Sequence, residues 1–138
     1  MTERADIEAV LDEFHAAAAA ADEERYFATL SAEAIFLGTA PGERWQGLAF
    51  REFVHGYFSR GKGWAYLPSH RSVDVSGDGL TAWFDETVTN DHFGACRGSG
   101  VLQRDGERWR IEQYNLTIPV PDERALDLVA QIREMRPA

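Results

Sequence analysis

The chain has 138 residues, 44% of them hydrophobic and 27% charged, which is the composition of one globular domain spanning 1–138. Fourteen Lys and Arg stand against 23 Asp and Glu, a net charge of −9 that argues against a phosphate backbone or an anionic membrane surface as partner. Cys96 is the only cysteine, so no internal disulfide can form, and a reducing, cytoplasmic setting is expected.

A helix is predicted over 3–21, where Ile7, Val10, Leu11, Phe14, Ala17, Ala18 and Ala21 recur at helical spacing and Thr2 serves as N-cap. The first residues carry no signal-peptide pattern, and Ala16–Ala21 is too short for a membrane span. A short second helix starts at Asp22 and runs through Tyr26, Phe27 and Leu30. Ala34–Leu37 reads as a buried strand, and Pro41 and Gly42 turn the chain. A third helix, Leu48–Phe58, carries a broad aromatic face. Val73 and Val75 begin an extended region, followed by strands at Leu80–Thr89, Ala95–Arg104 and Trp109–Ile118. Turn residues lie between them, Asn90-Asp91 with Gly94 and then Asp105-Gly106. Pro119 and Pro121 stop the last strand, and Asp122 caps a closing helix with Leu126, Val129 and Ile132. Helices set to one side of an antiparallel sheet make an α+β fold.

The hairpin turns give a register. A loop centred near His92 pairs Thr87 with Arg97, Asp85 with Ser99 and Trp83 with Val101. A loop at 105–107 pairs Val101 with Ile111, Ser99 with Gln113 and Arg97 with Asn115. One face then carries Trp83, Asp85, Thr87, Arg97, Ser99, Val101, Trp109, Ile111, Gln113 and Asn115, an apolar end grading into a polar one. Trp109 and Ile111 mark this face as the interior. The other face carries Phe84, Glu86, Leu102, Tyr114 and Leu116, with Gly98 and Gly100 signalling a bend or a close backbone approach.

Trp45-Gln46-Gly47 before an aromatic helix, Ala82-Trp83-Phe84-Asp85-Glu86, Arg97-Gly98-Ser99-Gly100-Val101-Leu102, and Trp109-Arg110-Ile111 with Gln113-Tyr114-Asn115-Leu116 together resemble one family. It is the SnoaL-like branch of the cone-shaped superfamily named after nuclear transport factor 2. The resemblance covers nearly the whole chain. It implies a strongly bent antiparallel sheet wrapped around N-terminal helices, a C-terminal helix and a conical cavity. It also implies a function among cofactor-free isomerases, cyclases, dehydratases and hydrolases, or among non-catalytic ligand-binding or dimerisation modules. Members commonly pair through the outer sheet face, which here predicts a homodimer built on Phe84, Leu102, Tyr114 and Leu116.

The candidate catalytic pair is Asp85, as base or water-orienter, with Arg97 as its charge partner. Trp83, Ser99, Gln113 and Asn115 would bind a small, partly apolar molecule, with His70 at the cavity mouth and Tyr26 on the opposite wall. A strand-bridging ion pair is the structural alternative for Asp85 and Arg97. His15 reads as a helix-flank residue, His55 and His92 as solvated or structural, and Cys96 as a small buried residue. The histidines lack ligand spacing, so no metal site is expected and no cofactor is implied.

Overall fold

The computed structural model describes residues 3–136, in the order α1 (Glu3–Ala19), α2 (Glu23–Ala28), β1 (Leu30–Leu37), β2 (Arg44–Gln46), α3 (Gly47–Phe58), β3 (Leu67–Val75), β4 (Thr81–Asn90), β5 (Gly94–Asp105), β6 (Arg108–Thr117) and α4 (Asp122–Met135). Thr2, the expected N-cap, lies outside the described residues. The strands form one curved sheet in the order β2-β1-β6-β5-β4-β3, covered on one face by α1 and α3. The expected α+β cone is therefore present. One correction concerns the sheet, which is mixed: β1 runs parallel to β6, while the other neighbours are antiparallel.

Helix α1 forms because Ile7, Leu11, Phe14, Ala17 and Ala18 put their apolar groups on one stripe, where all are buried. It stops at Ala19, short of the predicted Ala21, which takes a left-handed φ of 53° and turns the chain into α2. Asp22 then caps α2 by accepting from Arg25 N at 3.2 Å. Strand β1 starts four residues before its predicted Ala34, and β2, too short to show a period, was not anticipated. Helix α4 begins at Asp122 with Pro121, not Asp122, in the cap position. It buries none of its residues, and Leu126 and Met135 stand 83% and 77% exposed.

The β4–β5 register is the predicted one, with Trp83 opposite Val101, Asp85 opposite Ser99 and Thr87 opposite Arg97. The β5–β6 register is not. Val101 faces Gln113 and its neighbour Leu102 faces Ile111, so Glu112 is an extra residue in β6, a β-bulge. The Ser31 hydroxyl donates to Glu112 Oε2 at 2.8 Å and pins the bulge to β1. A bulge moves every residue beyond it to the opposite face. Trp109 and Ile111 point inward before it, and Tyr114 and Leu116 point inward after it.

The interior face is consequently Ala82, Phe84, Glu86 and Val88 on β4, Cys96, Gly98 and Leu102 on β5, and Tyr114 and Leu116 on β6. This reverses the expected assignment for β4, β5 and β6 beyond the bulge, while Trp109 and Ile111 face inward as expected. Trp83, Asp85, Thr87 and Arg97 are on the exposed outer face, and Ser99, Val101, Gln113 and Asn115 share that side half-buried. No described helix is long and apolar enough to cross a membrane.

Candidate active site

Strand β4 alternates Ala82, Phe84, Glu86 and Val88 inward, so one carboxylate enters an otherwise apolar core. The Glu86 side chain has no exposed surface, and an ionised group there is stable only if its oxygens are occupied. They are. Oε2 lies 2.6 Å from His15 Nε2 and accepts from the Tyr114 hydroxyl at 2.7 Å. Oε1 accepts from Arg71 Nε at 2.8 Å. The guanidinium turns its Nη1 toward Asp12 Oδ1 at 2.9 Å, which links the buried carboxylate to an exposed one.

Burial by itself would raise the Glu86 carboxyl, but the His15 hydrogen bond and attraction, the Tyr114 hydroxyl and the Arg71 charge outweigh it, leaving the group below the ordinary carboxylate value. Burial, followed by the neighbouring Glu86 charge, pushes the Tyr114 hydroxyl well above the ordinary phenol range. Arg71 is raised on balance, since its two carboxylate partners overcome the burial that would lower it. The cluster holds an ionised carboxylate, a protonated phenol and an imidazole in contact, the elements of proton transfer.

Above this cluster the cone is lined with rings. Phe36 stacks on Tyr114 with centroids 5.9 Å apart and planes 12° apart, and Phe14 lies 5.0 Å from the same ring. A cavity of about 210 Å³ is bounded by Phe36, Phe50, Phe53, Trp64, Tyr66 and Leu116, with Gly38, Thr39, Glu43 and Phe93 around it. Phe36, Trp64, Tyr66 and Leu116 also wall a deeper space of about 10 Å³ that reaches His15 and Tyr114. That space holds one hydroxyl-sized group. A wider groove of about 400 Å³ lies outside the cone between α1, α2 and the β5–β6 turn. Its Arg25 and Glu13 already hold each other at 2.7 Å, so the aromatic cavity is the better site.

Of the candidate catalytic and binding residues named from sequence, only Tyr26 is in the interior, fully buried between Phe14 and Phe58, its hydroxyl without a hydrogen-bond partner among the described residues. His70 is exposed on β3 opposite Thr87, on the outer face. Asp85, Arg97, Trp83, Ser99, Gln113 and Asn115 gather on that outer face and not in the cavity, because the bulge at Glu112 sets Leu102, not Val101, opposite Ile111. The expected dimer patch of Phe84, Leu102, Tyr114 and Leu116 is instead core. His15 is not a helix-flank residue, being only 7% exposed. Two signals point to the missed residues. Glu86 is the sole charge in the series Ala82, Phe84, Glu86, Val88, and His15 continues the Ile7, Leu11 stripe at i+4.

No curated protein matches the chain. Many solved structures share its fold. A nuclear transport factor 2-like protein of unknown function from Pseudomonas putida KT2440 superposes with a TM-score of 0.70 at 14% identity, over 89% of this chain and 92% of that one. A provisionally assigned scytalone dehydratase from Novosphingobium aromaticivorans gives 0.71 at 13% identity, over 86% and 85%. A nuclear transport factor 2-like protein from Cytophaga hutchinsonii gives 0.70 at 18% identity, over 86% and 100%. Matched over residues 7–121 by the family's own sequence model, the chain belongs to the SnoaL-like domain family.

Proposed function

We propose that this chain binds a small, flat, mainly apolar molecule in the aromatic cavity and moves a proton on it without a cofactor. The observation that carries the reading is the fully buried Glu86 carboxylate, held by His15, Tyr114 and Arg71 at the foot of a ring-lined cavity. Rings favour a planar ligand through stacking and edge contacts. The small deep space admits one oxygen of such a ligand beside the Tyr114 hydroxyl and the His15 ring. In this reading His15 exchanges the proton, Glu86 holds the imidazole through Nε2 and balances its charge, and the Tyr114 oxygen, its own proton given to Glu86, accepts from a ligand hydroxyl. Isomerisation and loss of water are both reactions of this type. The dehydratase names carried by two structural neighbours belong to those proteins and are compatible with the reading.

The test is a panel of small phenols and cyclic ketones incubated with the protein in deuterium oxide and followed by proton NMR. Protein-dependent deuterium uptake or water loss, abolished in Glu86→Gln and His15→Asn, is the expected result. Compounds that bind but never exchange or react would leave a binding protein without turnover. That second reading has its own support, because every Glu86 hydrogen bond is satisfied within the protein. In either case we propose a homodimer through the outer face, where Trp83 is 47% exposed. Light scattering that gives a monomer at micromolar concentration would refute the pairing.

A further inference from the structure

His15 borders two spaces. On one side it walls the deep end of the aromatic cavity beside Tyr114. On the other it lines a separate cleft of about 240 Å³ between α1 and the segment leading into β3, formed with Ala16, Ala19, Ala65, Leu67 and Pro68. Ala16, Ala19 and Ala65 are exposed and Leu67 is 71% exposed, so this cleft is open to water. Tyr66 is common to both spaces and forms the rest of the partition. The aromatic side is bounded differently: Phe36, Trp64, Tyr66 and Leu116 line both the larger cavity and the deep space.

We infer that His15 is the group through which the buried polar cluster exchanges protons with bulk water, and that it does so by the α1 cleft and not by the ligand mouth. The inference rests on the proton-transfer reading of the site and adds the route by which its proton balance is restored. The charged and titratable groups facing His15 are Glu86 from β4, Tyr114 from β6, Tyr66 from the segment before β3, and Asp12 one turn earlier on α1, with Arg71 of β3 bridging Asp12 and Glu86. Glu86 takes Nε2, which leaves Nδ1 outside that bond. The ring gains a proton from water and becomes imidazolium, then returns a proton to water. Only N–H and O–H bonds form and break, and no other reactant is needed. A ligand filling the aromatic cavity would therefore not cut the site off from solvent protons.

The test is histidine C2-hydrogen exchange followed by mass spectrometry on the full chain, which needs no ligand. A helical side chain covers the turn before its own Cα, so a ring at position 19 lies over His15 on the cleft side. Ala19→Phe is expected to slow His15 exchange roughly fivefold while His55, His70 and His92 are unchanged. Thr39→Trp, which fills the aromatic cavity, is expected to leave the His15 rate unaltered. If Ala19→Phe fails to fold, Ala65→Leu fills the same cleft from its other wall. Slowing by Thr39→Trp, or no slowing by either cleft variant, would overturn the route. Because the readout is exchange at His15, failure here leaves the ligand reading to its own deuterium-incorporation test.

Discussion

Gly98 leaves the room that the Tyr114 hydroxyl occupies: a side chain on its Cα would collide with that oxygen and come within 3.1 Å of Glu86 Oε2. The glycine in the middle of β5 is therefore part of the way Tyr114 reaches the carboxylate. Gly98→Ala is expected to cost about 1–3 kcal/mol by overpacking, and Gly98→Ala with Tyr114→Phe to recover part of that loss. Urea unfolding of the single and double variants checks it. A Gly98→Ala protein within about 0.5 kcal/mol of the parent would sink the assignment.

The depressed Glu86 carboxyl makes stability depend on pH in a definite direction. Its folded value lies below the ordinary 4.5, so its contribution is complete above that value and is lost as pH falls through the lowered one. Glu86→Gln leaves Arg71 without its buried counter-charge and is expected to cost about 3 kcal/mol at neutral pH. The gap between the two proteins should narrow as pH falls below 4.5, measured as Tm against pH. A constant gap down to acid would mean that the carboxylate is not held ionised.

Asp85→Asn and Arg97→Ala alter the outer face only, where both residues are exposed. Neither is expected to change the affinity of an aromatic probe for the cavity by more than about 0.5 kcal/mol, while Trp64→Ala should weaken it about tenfold. Titration of 1-naphthol followed by calorimetry distinguishes them. A large effect from Asp85→Asn alone would restore the outer face as the site.

Helix α4 buries none of its residues, so ending the chain after Val120 is expected to shift the Tm by less than about 2 °C. Calorimetry at matched concentration measures this. A fall of about 5 °C or more would mean that the helix packs against something in solution, and light scattering on the shortened chain would say whether that is a second copy.

Much of the architecture was legible because long amphipathic segments announce themselves. Ile7, Leu11, Phe14 and Ala18 mark α1, and the β4–β5 hairpin register followed from a loop centred near His92 between Asn90-Asp91 and Gly94. The site was not legible, for one local reason. Trp109 and Ile111 do face inward, as the sequence suggests, but strict alternation carries that face on to Gln113 and Asn115. The trace an inserted Glu112 leaves is a change of phase, apolar residues at 109 and 111 and then at 114 and 116, which an unbroken period-2 reading passes over. The glycines offered a second clue. Their close approach is to Tyr114 and to the Gln113 carbonyl, which places interior crowding on the even-numbered face.

The bulge also makes β6 a strand with two readings. From residue 113 onward one track, Tyr114 and Leu116, supplies a phenol and an aliphatic wall to the cavity, and the other, Gln113 and Asn115, supplies two amides to the outside. Deleting Glu112 would exchange the tracks, setting two amides where Tyr114 and Leu116 now stand and leaving Glu86 and His15 without their phenol neighbour. Which side chains β6 offers to the cavity is thus tied to one residue at the strand's midpoint.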